Sequence, residues 1–377
     1  MSPKLSGTVL CDGAVHSFGG TEVTPSISVS TTFKASYPEG DNVDVKNTKR
    51  HVIEYRLHDG HANAYASDLS DAYAALVFFK PKRIAINGGY FGCHATEEPD
   101  DLCWLETPLN PRGESRDIIH KAGGELLVDS TFAPSPLQYP FKWGAYWYVI
   151  LHSATRYFGG HSDLLGGVLA VKTLDEWTTL QHDRTYLGNV LGSLEAWSLL
   201  RSLRTLHLRV PRQSDAATVR AKWLQSAAQR TPAGQTFDGV PGRLVTRVWH
   251  SSLQTTGEGG SQSKHQLEDG WNRTFAIQVL SGNSEQAIQL PQVLLSVATR
   301  SFGGIESLIE CRTRADVKED PRLIRISVGV EDVEDLKDGL RIGLQKVASI
   351  ESKLQPPIVR LNYGRIFYGI FEQTILT

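Results

Sequence analysis

Cysteine is scarce and unpatterned in this chain. Its 377 residues hold four, Cys11, Cys93, Cys103 and Cys311, with no C-x-x-C spacing. That argues against a zinc ribbon or a disulfide framework and makes a reducing cytoplasm the expected setting. A bilayer-crossing run is missing as well: no apolar stretch approaches the ~20 residues required. The opening "MSPKLSGTVLCDGAVHSFGG" lacks the long apolar region of a secretory signal, so the acceptor pattern at Asn272–Thr274 reads as chance. Neither sign of charge dominates. A net charge of −2 gives no electrostatic reason to expect nucleic acid or an anionic membrane as partner. No internal repeat or low-complexity segment stands out.

What is present is a globular composition, 40% apolar and 21% charged, in a chain long enough for two domains and a substantial core. Residues 1–50, with the polar run "YPEGDNVDVKNTKRH", read as an arm. From about residue 60 onward, short apolar runs alternate with helix-like stretches. "AYAALVFF" reads as a helix turning at "KPKR". "IAI", "LCWLE", "ELLVD", "YVILHS" and "GVLAVK" read as buried strands of a parallel sheet covered on both faces. Residues 187–210 read as one long helix with Leu191, Leu194, Leu199 and Leu203 on one stripe. Residues 214–230 read as another, capped by Ser214 or Asp215. The Pro/Gly-rich "TPAGQTFDGVPGR" then looks like a boundary, dividing a unit at 51–232 from one at 233–377. In the second, "LVTRVWH", "TFAIQVL" and "LIRISVGV" read as strands. "EDVEDLKDGLRIGLQKV" reads as an amphipathic helix with Val333, Leu336, Leu340 and Leu344 inward. The tail alternates apolar and polar residues and reads as a strand without an assigned role.

Ligands in open α/β sheets bind beyond the carboxyl ends of the strands, and Glu106, Asp129 and Ser153 stand at such ends. Ser153 and Thr155 offer hydroxyls beside a glycine-rich turn, suited to phosphate oxygens. A buried carboxylate at Asp129 needs a cationic partner such as a protonated ring nitrogen. Tyr90, within "GGYFG", is placed to cover a flat ring. Arg325 is a forked donor suited to a carboxylate. Together these features describe pyridoxal phosphate carrying an amino acid.

The segments "LLVDSTFAPSPLQYPFKWGA" and "HSATRYFGGHSDLLGGVL" closely resemble the Cys/Met-metabolism, or transsulfuration, family of pyridoxal-phosphate enzymes. So do "YASDLSDAYAALVFFKPKR", "GGYFG", "LETPLNP", "SFGGIESLIE" and "LIRISVGVEDVEDLKDGL", in the family's order. The resemblance runs with interruptions from about residue 52 to 347, and looks most like the fungal cystathionine γ-synthase-like branch. It implies a three-layer α/β large domain of the aspartate-aminotransferase type and a smaller α+β domain. It also implies assembly into homo- or hetero-oligomers and a small amino-acid substrate. By resemblance, Asp129 pairs the pyridine nitrogen and Tyr90 stacks on the ring. Ser153 and Thr155 hold the phosphate, together with the turn amides near Ser67 and Leu69. Asn110 faces the cofactor, and Ser301 with Arg325 binds the substrate carboxylate.

The chain departs from the pattern at its chemical centre. Arg156 stands where the family has the lysine that links to the cofactor through its amine and then moves protons. A guanidinium stays protonated to a pH above about 12 and can do neither. Asp68 replaces a glycine in the phosphate turn, where a carboxylate would repel a phosphate. The family's inter-subunit "Y-x-R" stretch is absent, and its role is not carried onto Tyr55 or Arg56. Between "GCHAT" and "DLCWLE" only "EEPD" remains of a helix and a strand, and buried strand edges left unpaired there would cost roughly 1–3 kcal/mol per group. Two readings follow. One is an impaired enzyme of γ-substitution or elimination on homoserine-derived or sulfur amino acids. The other is an inactive paralogue, serving as a partner subunit or persisting as a relic; Arg156 and Asp68 favour it.

Overall fold

The computed structural model of the chain describes residues 60–82, 84–86, 102–114, 125–143, 148–254, 266–279, 304–314 and 318–354. Outside them lie the expected arm at 1–50, Tyr55 and Arg56, Tyr90, the shortened stretch at 96–101, Ser301 and the tail.

Short aliphatic runs ending at polar residues form the first sheet. Its strands are β1 (His61–Tyr65), β2 (Ile84–Ile86), β3 (Leu102–Glu106), β4 (Glu125–Asp129), β5 (Tyr148–Ser153) and β6 (Gly167–Val171), bonded in the order β1-β6-β5-β4-β3-β2. β2 through β5 are parallel, as expected from their continuous apolar character. The all-parallel expectation fails at β6, which runs antiparallel to both β5 and β1. The residues between β5 and β6 form turns around the site, not the helical crossover that a parallel return requires. β1, "HANAY", was not legible as a strand because alanine and asparagine carry little β propensity.

The sheet has no gap where the sequence is short. β2 pairs directly with β3, Ile84 opposite Leu102 and Ile86 opposite Trp104. The unpaired interior edges expected from the missing strand therefore do not occur between these two.

Three layers result. Helices α1 (Asp68–Phe79) and α2 (Leu174–Leu187) cover one face, packing Ala75 and Leu180 on Leu127, Leu151 and Leu169. Helices α3 (Ser193–Leu203) and α4 (Leu206–Arg230) cover the other, packing Leu199, Leu203 and Val210 on Ile150, Val168 and Ala170. The alternation of Leu151 with Ile150 is the period-2 pattern of a strand buried on both sides. α2 was missed in the sequence because it buries only Leu180 and Arg184. Its capping box, Thr173 with Glu176, was the available signal.

Two helix expectations are corrected. Residues 187–210 are not one helix. α2 ends at Gly188 with φ 72°, and α3 and α4 are separated at Arg204–Thr205. Leu194 is exposed rather than on the inner stripe. Nor does a helix start at Ser214 or Asp215, because α4 runs through them. Ser214 is buried and its Oγ accepts the Trp271 N–H at 2.9 Å, so a long-range partner satisfies the hydroxyl that sequence assigns to a cap.

After a hairpin of β7 (Thr236–Phe237) and β8 (Val240–Pro241), a second sheet forms from β9 (Val245–Trp249), β10 (Thr274–Val279), β11 (Leu308–Cys311) and β12 (Leu323–Ser327). Its order is β11-β12-β10-β9, antiparallel throughout. The later turns of α4 (Ala217, Leu224) and helix α5 (Val333–Leu354, through Leu340 and Leu344) pack on Phe275, Ile277, Ile324 and Ile326. Alternation then turns Arg325 to the opposite face, away from the helices. Among the described residues no helix is long and apolar enough to cross a membrane.

Candidate functional site

Three parallel strands end at one place. Glu106 of β3 lies opposite Asp129 of β4, and Asp129 opposite Leu151 of β5. Their carboxyl ends open a cleft lined by Asp68, Ala72, Trp104, Glu106, Asn110, Asp129, Thr131, Phe132, Leu151, Ser153 and Arg156. Asn110, Asp129, Ser153 and Arg156 of the candidate residues are thus brought together. Ser67, Leu69 and Thr155 flank them in sequence, at the start of α1 and in the turn after β5.

The start of α1 is built by local chemistry. Ser67 is its N-cap, accepting the Ser70 N–H at 3.0 Å, while Asp68 and Asp71 complement the helix dipole in the first turn. Asp68 Oδ1 accepts the Leu69 N–H at 3.1 Å and Asp68 Oδ2 accepts the Ser153 hydroxyl at 3.2 Å. Leu69 contributes only that backbone group, since its side chain is exposed. Thr155 Oγ1 accepts the Gly166 N–H at 3.2 Å.

Asp129 is held by the residues that follow it. Thr131 donates its N–H to Asp129 Oδ1 at 3.0 Å, and Thr131 Oγ1 accepts the Ser153 N–H at 2.8 Å. Burial pushes the Asp129 carboxyl up to about 6, with Thr131 and Arg156 opposing and Asp68 adding to the rise. Burial also raises Glu106 and Asp71 well above the carboxylate range, and the Asp129 charge raises both further. Sequence reasoning placed Glu106 at a strand end but assigned no role to Thr131, Asp71 or Trp104. The "DST" run after β4 was the signal for Thr131.

A raised carboxyl destabilises the fold where it is ionised. Between its ordinary 3.8 and about 6 the native Asp129 holds more proton than the unfolded chain does, so stability falls as pH rises through that window. At about 1.4 kcal/mol per unit, the loss above pH 6 is about 3 kcal/mol. Asp129→Asn keeps an acceptor for Thr131 and removes the charge. The variant is expected to match the parent in urea unfolding at pH 4 and to exceed it by about that amount at pH 8. Parallel stability profiles from pH 4 to 8 would refute this.

Arg156 lies in the turn after β5, its N–H bonded to Ser153 O at 3.2 Å. The neighbouring Tyr157 anchors that turn: its hydroxyl donates to Phe132 O at 3.2 Å and accepts the Arg273 N–H at 3.1 Å. The Arg273 guanidinium stacks 4.1 Å from the Tyr157 ring centre and donates to Gly304 O at 2.6 Å. Tyr157 and Arg273 are buried, and neither was singled out from sequence.

Arg325 reaches the site from the second sheet. Its Nη1 donates to Asn110 Oδ1 at 2.5 Å and its Nη2 to Glu310 Oε2 at 2.6 Å. Glu310 stands directly across from Arg325 in the β11–β12 register and also takes Arg312 Nη1 at 3.3 Å. Burial pulls the Arg325 guanidinium down to about 9 while Glu310 opposes that shift, so it stays cationic at neutral pH. Asn110 meets it because Gly113, at φ 67°, lets the loop press on β10, where an added Cβ would lie 2.1 Å from Thr274 O. Tyr90 and Ser301 lie outside the described residues. Among those residues no group of three or more His, Cys, Asp or Glu is arranged to hold a metal ion.

Comparison with known proteins places this geometry. A family model described as "Cys/Met metabolism PLP-dependent enzyme" matches residues 93–345. Cystathionine gamma-lyase of Saccharomyces cerevisiae is 30% identical over 272 residues, 67% of this chain and 66% of its own length. The corresponding enzyme of Bacillus subtilis is 33% identical over 263 residues, 65% of this chain and 64% of its own. Cystathionine gamma-synthase of Mycobacterium tuberculosis is 32% identical over 262 residues, 64% and 61%. The match therefore spans slightly under two thirds of these relatives. Among solved structures, cystathione gamma lyase from Micromonospora echinospora superposes with TM-score 0.69 at 27% identity, covering 90% of this chain and 98% of the other. Cystathionine gamma synthase from Xanthomonas oryzae, in complex with cystathionine, superposes with TM-score 0.71 at 21% identity, covering 91% and 99%. At that identity it speaks to the fold alone.

Proposed function

This chain belongs to the Cys/Met-metabolism family of pyridoxal-phosphate-dependent enzymes, and from that premise we propose that it is a member without transsulfuration turnover, its cleft inherited but its reactive amine replaced. The observation that carries this is Arg156, which lines the cleft beside Asp129 and Ser153. Its charge is felt both at Asp129 and at Arg325. A guanidinium at that point can pair with a carboxylate but supplies neither a neutral amine nor a base.

The residues present fit pyridoxal phosphate only in part. Bound in an active relative, the group acts as an electron sink and is held covalently. Here the ring end is supported: Asp129 is buried, carries a raised pKa, and faces a cleft walled by Trp104 and Phe132. The phosphate end is not, because Asp68 takes the Leu69 amide and the Ser153 hydroxyl. Nor is the covalent link, for want of an amine at 156. No reaction step is assigned to the group in this chain.

In this reading Asn110, with Arg325 behind it, forms the carboxylate end of the cleft, and the ligand class is the small amino acid suggested by relatives named for cystathionine. Two separate sheets support dividing the chain into a large unit at 51–232 and a small one at 233–377.

The test is chemical. Purified protein mixed with pyridoxal phosphate, reduced with borohydride and weighed by mass spectrometry is expected to show no adduct on any lysine. Neither formation nor cleavage of cystathionine should proceed above the uncatalysed rate. A stoichiometric adduct, or steady turnover by protein free of host enzyme, would overturn the reading.

A further inference from the structure

The first turn of a helix presents unbonded N–H groups and the positive end of the dipole, and so attracts anions. At α1 that cradle is already filled. Asp68 occupies the first helical position and turns its carboxylate back over the turn. One oxygen takes the Leu69 N–H at 3.1 Å and the other the Ser153 hydroxyl at 3.2 Å. Ser67 is committed to capping Ser70, and Thr155 to Gly166. Each hydroxyl by which a phosphate would be recognised is bonded inside the chain.

A second observation comes from the other wall. The cleft is acidic on balance, with Asp68 and Asp129 set against Arg156. Glu106 is buried, and its Oε2 has no hydrogen-bond partner among the described residues. A buried carboxyl oxygen without a partner is a cost that a hydrogen-bond donor such as a protonated ring nitrogen relieves and that a phosphate oxygen, itself an acceptor, does not. Trp104 and Phe132 supply flat apolar walls, which suit a ring.

We propose that Asp68 is a built-in occupant of the anion cradle at α1, so that the cleft takes an unphosphorylated aromatic ring bearing a protonated nitrogen and rejects the phosphate ester of that ring. The proposal does not depend on loss of turnover, because it concerns the non-covalent preference of the cleft rather than the amine at 156. A carboxylate already seated on the donors excludes a phosphate twice, by occupying its hydrogen bonds and by like charge at contact distance.

The probes are pyridoxamine and pyridoxamine 5′-phosphate, titrated calorimetrically into the full chain. The parent is expected to bind pyridoxamine at least tenfold more tightly than its phosphate ester, and millimolar inorganic phosphate should not compete. Asp68→Gly clears the cradle and is expected to reverse the order by a further factor of at least ten. Asp68→Asn keeps the size of the side chain and one acceptor oxygen, so it serves if the glycine variant does not fold; it should abolish the preference. Tighter binding of the phosphate ester by the parent would overturn the proposal. So would an unchanged preference in a folded Asp68 variant, or no measurable binding of pyridoxamine.

Discussion

Glu310→Ala is expected to lower the unfolding free energy by about 3–5 kcal/mol, a large share of a stability on the order of 5–15 kcal/mol. The reason is the position of Glu310 more than its bonds. It lies between two arginines, 2.6 Å from Arg325 and 3.3 Å from Arg312, and all three side chains are at most 10% exposed. Charges of that kind have given up water for one another. Removing the Glu310 carboxylate takes the charge partner from two buried cations at once. One of them, Arg325, then loses the partner that fixes its second donor arm while the first holds Asn110. The pair Lys142–Glu268 is the internal control. At 3.0 Å its geometry is as good, but its side chains are 49% and 41% exposed, and Glu268→Ala should cost under about 1 kcal/mol. Urea unfolding of the two variants side by side decides the matter, and equal losses would show that burial does not set the value of the ion pair.

The second large effect concerns covalent capture of pyridoxal phosphate. Arg156→Lys alone is expected to give little borohydride-stable adduct, whereas Arg156→Lys combined with Asp68→Gly should approach one adduct per chain. An amine at 156 would supply the nucleophile that a guanidinium withholds, placed between the Asp129 charge on one side and the charges of Arg273 and Arg325 on the other. Reactivity is therefore supplied by the first substitution. Occupancy is supplied by the second, since the cofactor must be held by its phosphate before the amine can reach it. The two should be strongly non-additive, as expected of sites that share one ligand. Full labelling of the single variant would remove Asp68 as the barrier. A blank double variant would mean that the obstacle lies outside the two residues, and that the loss of function is broader than this cleft.

Much of the large unit was legible from residue order. Five of the six strands of the first sheet were visible as short apolar runs with polar ends, because a strand buried on both faces must be continuously apolar. Asp129 and Ser153 were visible as strand-end residues and Arg156 by its place in the motif that follows β5, and the structure brings them to one cleft. What escaped was either weakly apolar, as in β1 and α2, or decided by distant contacts. Ser214 reads as a cap and is a mid-helix acceptor for Trp271. β6 reads as another parallel strand and runs the other way.

Chemical identity was thus written into the chain, since which side chain stands at 156, 68 or 129 is a matter of sequence and each carries its own charge and nucleophilicity. Whether those groups are available to a ligand was not. That Asp68 closes on Ser153, 85 residues away in sequence, depends on α1 and β5 meeting at one end of the sheet. That Arg325 is bound by Glu310 and Asn110 depends on a strand register and on a loop pressed against β10. Sequence specifies charges one by one, but their energies depend on distance and on exclusion of water, and both are properties of the folded chain.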